Sequence, residues 1–184
     1  MKTLRLCAVV AASMLTFAPS AFAAEGAGIA VVNIQQILRE SDAAKSVRTQ
    51  LDNKQKEFQT EISKKEESLQ KEDQALAKQR NVLAKDAFEA KVAEFRKKAT
   101  EVQKEVQSKK AMLDGAFERA LADIQKVVTD IIGDMSKEKG FVVALPTSQI
   151  LYADTKLDIT SEVLSTLNKK LSKVDVKFEA PAKK

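Results

Sequence analysis

The chain has no histidine anywhere, and its single cysteine, Cys7, sits within the first 23 residues. Without His, and without Cys beyond residue 23, transition-metal sites and the usual nucleophile–base pairs lack their customary members. Glycine is scarce, at five residues, so no glycine-rich loop is present to cradle a phosphate. Carboxylates are plentiful, but they alternate with Lys along the chain. Pairs such as Glu57–Glu61 and Glu101–Glu105 read as solvated charges on an exposed helix rather than as an acid–base dyad. The expectation is a protein that is not an enzyme and holds no metal or cofactor.

Nucleic acid binding is also disfavoured. The net charge is +5, but the aromatics Phe58, Phe88, Phe95 and Phe117 fall on an apolar stripe. They are not interleaved with Lys as stacking platforms would be.

Residues 1–23 have the make-up of an export signal. Lys2 and Arg5 precede an apolar run from Leu6 to Phe17, too short for a comfortable membrane span. Pro19 and Ser20 break the run, and Ala21-Phe22-Ala23 fits a small-x-small cleavage site. Cys7 lies too early for a lipoprotein cut. The expected product is an exported, soluble, thiol-free chain, best placed in a bacterial periplasm.

Proline is missing from Ser41 to Lys139, and the only glycines there are Gly115 and Gly133. The stretch is rich in Ala, Glu, Lys, Gln, Leu and Arg, all strong helix formers. Short β-branched runs flank it, Ile29-Ala-Val-Val32 and Phe141-Val-Val-Ala-Leu145. A long helical insert between two strand-like pieces describes an arm on a small body.

In the first half of the arm, Ile62, Leu69, Leu76 and Leu83 recur every seven residues, after Val47, Leu51 and Phe58. That is one apolar residue per heptad where a stable coiled coil wants two. Lys65, Glu66, Glu72 and Gln79 stand where the second should be. The second half carries a fuller stripe through Phe88, Val92, Phe95, Ala99, Val102, Val106, Leu113, Phe117, Leu121, Ile124, Val128 and Ile131, interrupted by Lys109.

A single rod of this length would reach roughly 150 Å at about 1.5 Å per residue. A hairpin is favoured, because it brings the short flanking strands together. Asp86 with Glu89 resembles a capping box that opens the second helix, which puts the tip near residues 81–87. Ser41 and Asp42 read as the start of the arm, and Gly140 as its left-handed stop. Gln149 to Ala153 reads as a third strand, joined to the second through Pro146-Thr147-Ser148. Asp158 or Thr160 caps a last helix bearing Val163, Leu164, Leu167 and Leu171.

The resulting fold class is α+β. A small β body, residues 24–41 and 140–172, carries a long antiparallel helical hairpin, residues 42–139, inserted between strand 1 and strand 2. Residues 173–184 read as a flexible tail. A body of roughly 60 residues is near the lower limit for an independent core. This shortage implies that subunits share a sheet.

Together, Ile29-Ala-Val-Val-Asn-Ile34, the long charged arm, Phe141-Val-Val-Ala-Leu145, Ile150-Leu-Tyr-Ala153 and Asp158-Ile-Thr-Ser-Glu-Val-Leu164 resemble the Skp (OmpH-like) periplasmic chaperones. The resemblance implies a homotrimer whose strands form a β body. Helical tentacles would enclose unfolded outer-membrane β-barrel proteins, without ATP, and keep them from aggregating. It places client contacts on the arm's apolar face, at Phe58, Ile62, Leu69, Leu76, Phe88, Val92 and Phe95. It places trimer contacts at Ile29, Val31, Ile34, Val142 and Val143. It also implies contact with lipopolysaccharide or another anionic lipid, for which Lys97, Lys98, Lys109 and Lys110 are the candidates. The near-balanced charge of this arm departs from the family's basic tentacles. Two other readings stay open: a structural coiled-coil spacer of the envelope, which needs a single rod, and an export-pump adaptor, which needs a Gly-rich β domain that is absent.

Small-angle scattering should return a particle with arms about half the roughly 150 Å of a continuous rod; a full-length rod would exclude the hairpin.

Overall fold

A computed structural model describes residues 28–179. The export signal expected at residues 1–23 lies outside them. The order of elements is strand β1 (Gly28–Val32), helix α1 (Ile34–Glu40), helix α2 (Asp42–Gln79), helix α3 (Lys85–Lys139), strand β2 (Phe141–Pro146) and helix α4 (Thr160–Lys170). α2 and α3 are the two limbs of a helical hairpin, joined by the short turn at residues 80–84.

β1 and β2 pair in parallel, with Ile29 opposite Val143, Ala30 opposite Ala144 and Val31 opposite Leu145. Parallel neighbours need a crossover connection, and here the whole hairpin supplies it. Alternation along the strands sorts their faces. Ala30, Val32 and Ala144 turn toward the core with α1, α4 and the arm root. Ile29, Val143 and Leu145 lie exposed on the opposite side.

The expected third strand does not pair in this protomer. A turn of 3₁₀ helix occupies Thr147–Gln149, and residues 150–153 then run without a sheet partner. The composition of this segment is strand-like, but it has no sheet neighbour among the described residues. Leu151 and Tyr152 are fully or almost fully exposed.

Ser41 is the hinge of the body. It ends α1 and caps α2, its hydroxyl accepting from the Ala44 N–H at 3.2 Å, and it is completely buried. The Arg48 guanidinium donates to the Leu38 and Arg39 carbonyls at 2.9 and 2.8 Å, placing a cation on the C-terminal end of α1. α4 is tied to the same corner. The Asn33 N–H donates to Thr160 Oγ1 at 2.8 Å, and the Asp42 N–H donates to Asn168 Oδ1 at 2.9 Å. Asp158 accepts from the Thr160 N–H at 2.8 Å, while Ile159 takes the N-cap position. Gly140 closes α3 in the left-handed region at φ 75°, its N–H donating to the Ser136 carbonyl. A side chain there would clash with its own backbone.

At the arm root the seam is built from alanine. Ala43, Ala44 and Val47 of α2 are buried, as are Ala116, Ala120, Ile124, Val128 and Ile131 of α3. The expected stripe through Phe117 and Leu121 is offset by one position: Phe117 is 41% exposed, and Ala116 and Ala120 take the inner face.

The second helix begins at Lys85 with Ala84 before it and no side-chain cap. The expected capping box is therefore absent, and Asp86 and Ala87 belong to the helix rather than to the tip. Beyond α4 the chain does not fray at once. Val174 is buried in the core, and residues 173–179 lie along the arm root. The extension expected to be flexible is thus docked as far as it is described.

Ile124→Ala should cost about 2–5 kcal/mol in urea unfolding, because Ile124 is wholly buried at the root. Phe117→Ala should cost less than about 1 kcal/mol. A reversed order would restore the offset stripe.

Candidate functional site

The hairpin surface is graded from root to tip. Past the alanine seam, apolar side chains meet only once per heptad on α2: Phe58, Ile62 and Leu76 are buried and Leu69 is half-buried. On α3, Phe88, Val92, Phe95, Ala99 and Val102 are half-buried. The seven residues expected to face a client therefore line the hairpin's own seam, three of them closed off and four partly open.

Polar residues fill the vacant second seam position. Lys65 pairs with Glu105, Lys98 pairs with Glu72 at 2.9 Å, and Lys91 donates to Gln79 at 2.8 Å. Each step moves seven residues along both helices, so one polar rung per heptad crosses the hairpin. The rungs fix the antiparallel register without closing the seam as a second apolar row would.

Lys109 extends the ladder toward the root. Its side chain is only 13% exposed and pairs with Glu61 and, at 3.5 Å, with Glu105. Its ammonium lies 4.1 Å from the centre of the Phe58 ring, with Lys54 on the same ring at 5.0 Å. The one residue that breaks the apolar stripe is thus a capped cation seated on an aromatic face. Gln55, Phe58, Ile62, Val106 and Leu113 line an open groove beside it.

The charges of the ladder hold one another in place. The hydrogen bond from Lys109 pulls the Glu61 carboxyl below its ordinary value, and the one from Lys65 does so for Glu105. Burial would lower the Lys109 ammonium, but its bonds to Glu61 and Glu105 outweigh this and raise it. Hydrogen bonds to Glu72 and Glu94 raise Lys98.

Of the four lysines considered for anionic lipid, Lys98 and Lys109 are therefore engaged within the hairpin. Among the described residues no ion pair involves Lys97 or Lys110. The apolar side chains most open on the arm are Val82 at the tip, Val106 and Phe117. Phe117 was hidden by its place in an apparently regular stripe. The signal that gives it away is the run Ala116, Ala120, Ile124, Val128 at a spacing of four, which forms a second and better inner face.

On the body, Ile29 of β1 and Val142 and Val143 of β2 are exposed. Val31 is different. It is 4% exposed, its carbonyl accepts from the Ile159 N–H, and the segment around Leu151 and Asp158 covers it within the protomer. Ile34 packs against the core of its own chain. Val31 is thus closed within the protomer, whereas Ile34 is half-buried.

The family described as "Outer membrane protein (OmpH-like)" matches residues 28–167. No curated protein matches the chain. A crystal structure of a protein described as an OmpH-like outer membrane chaperone, from Caulobacter crescentus CB15, superposes with a TM-score of 0.78 at 20% identity. The match covers 84% of this chain and 92% of that one, and at this identity it speaks for the fold.

Glu61 and Glu105 have folded-state pKa values below their unfolded ones. Their contribution is complete above the unfolded value, near pH 4.3, and is lost as pH falls through the depressed folded value. Amide protection in residues 58–65 and 102–109, corrected for the intrinsic pH dependence of exchange, should therefore fall below about pH 4, while the alanine root stays protected. Uniform exchange along the arm would show that the ladder does not secure its middle.

Proposed function

Because the chain belongs to the OmpH-like (Skp) family, we propose that it is an ATP-independent holdase of the periplasm that keeps unfolded outer-membrane β-barrel proteins from aggregating. The observation that carries this reading is the arm's seam: one apolar residue per heptad on α2 against the fuller stripe of α3, bridged by polar rungs and open along its edges. Such a surface offers many weak apolar contacts amid dense charge. That suits holding a client and then releasing it. No helix among the described residues is long and apolar enough to cross a membrane, and the leader expected at residues 1–23 would direct export.

The same reading makes the working unit a homotrimer. Among the described residues β2 has a free outer edge, and the strand-like segment 150–153 has no sheet partner. An edge on one side and an extended segment on the other invite head-to-tail pairing between copies. Such pairing closes into a ring when the rotation fits. Ile29, Val142, Val143, Leu151 and Tyr152 would be covered in it. Three arms leaving one ring would surround a shared space, and open residues such as Phe117 and Val106 are suited to line it. Contact with lipopolysaccharide or anionic lipid would fall to Lys97 and Lys110.

The spacer alternative is weakened by the hairpin, which halves the reach a rod would have.

Molar excess of the exported chain should suppress light scattering by a urea-denatured β-barrel protein on dilution; unchanged scattering would sink the holdase reading. Val142→Asp with Val143→Asp should lower the mass in analytical ultracentrifugation from trimer to protomer, with helix content unchanged. An unaltered mass would remove this face from the interface. Val31→Asp is unsuited to the purpose, because it strikes the protomer's own interior.

A further inference from the structure

Beyond α4 the chain turns back along the arm root in extended form. The Gln50 side chain on α2 grips its backbone twice: Nε2 donates to the Val174 carbonyl at 2.6 Å, and Oε1 accepts from the Val176 N–H at 3.1 Å. One amide side chain thus serves residues two apart, as a neighbouring strand would. From α3, the Arg119 guanidinium donates to the Lys177 carbonyl at 3.1 Å. The Lys54 ammonium stands 5.8 Å from the Phe178 ring.

The segment alternates without a break. Val174 is buried and Val176 and Phe178 are half-buried, while Asp175, Lys177 and Glu179 face solvent. Three of its four fixed contacts are to main-chain atoms, which every sequence possesses. The remaining requirement is an apolar side chain at every second residue. A transmembrane β-strand meets that requirement along its whole length. The segment lies outside the family match at residues 28–167.

We propose that the root groove between α2 and α3 is a binding site for an extended, alternating segment of an unfolded β-barrel protein, and that residues 174–178 occupy it as a built-in substitute until such a segment displaces them. This rests on the holdase reading and gives it a site and a client chemistry. The groove takes one strand-length of client by backbone capture, and the chain's own tail sets the threshold for entry.

The test uses the full chain and a fluorescent peptide of residues 173–179. Val176→Asp ejects the tail, so the peptide should bind that variant about tenfold more tightly than the native chain, as expected when the tail fills the site about nine-tenths of the time. Adding Gln50→Ala should abolish the gain, and a peptide of the same composition without alternation should not bind. Equal binding to native and Val176→Asp chains would overturn the proposal. A second arm needs no variant. Saturating the native chain with unlabelled peptide, or with a urea-denatured β-barrel protein, should speed exchange of the Val176 amide while the core of the body stays protected. Unchanged exchange would overturn the proposal even where Val176→Asp fails to fold. Intact suppression of aggregation without competition would remove the groove alone. Competition without suppression would remove the holdase reading alone.

Discussion

Everything outside the arm depends on the close contact of α2 with α3 at their root. Two parallel strands separated by about a hundred residues cannot find each other unless the intervening chain is folded back. Closing so long a loop carries an entropy cost that its ends must recover. Ala43, Ala44 and Val47 against Ala120, Ile124 and Val128 provide the recovery. With these in contact, β1 meets β2, and α1 and α4 have a surface to cover. Remove that contact and the body loses its sheet and its core together.

Away from the root the balance changes. Apolar burial gives way to one hydrophobic contact per heptad and one charged rung. Exposed ion pairs contribute little to stability, so the outer arm is held in register more than it is held shut. Local opening should therefore be easiest toward the tip and hardest at the root. Lys109 marks the transition. Its cation is paired by two carboxylates and rests on Phe58, so a polar residue occupies a seam position without an unpaired buried charge.

Much of the arm is legible from residues alone. The absence of Pro, the Ser41 cap, the thin heptad repeat, the vacant second position filled by Lys65, Glu72 and Gln79, and the Gly140 stop all act within a few residues, where local rules apply. Other features depend on distant partners. Ala116 and Ala120 are buried where the chain around Val176 lies against α3, a contact distant in sequence that no stripe of large side chains announces. Segment 150–153 has strand composition, but pairing requires a neighbour, and the described residues supply none. The tail looked like loose charge because Gln50 and Arg119, its partners, lie far away in sequence. On the candidate surface, the apolar residues of both helices line the seam, three buried and four half-buried. Their closure by the facing helix, and the capture of Lys98 and Lys109 by Glu72, Glu61 and Glu105, follow from a register that only folding back creates.

Ser41 and Gly140 are the two points at which the arm joins the body, one on the outgoing helix and one on the returning helix. Mechanically they are the fulcrum of a lever. α2 has 38 residues, a length of about 57 Å, so a tilt of about 5° at the fulcrum carries the tip through about 5 Å. A rearrangement of one or two hydrogen bonds at the buried serine would thus be enlarged at the far end into a displacement wider than a polypeptide backbone. The angle of the arm is thus governed at the corner where it joins the body, far from its tip.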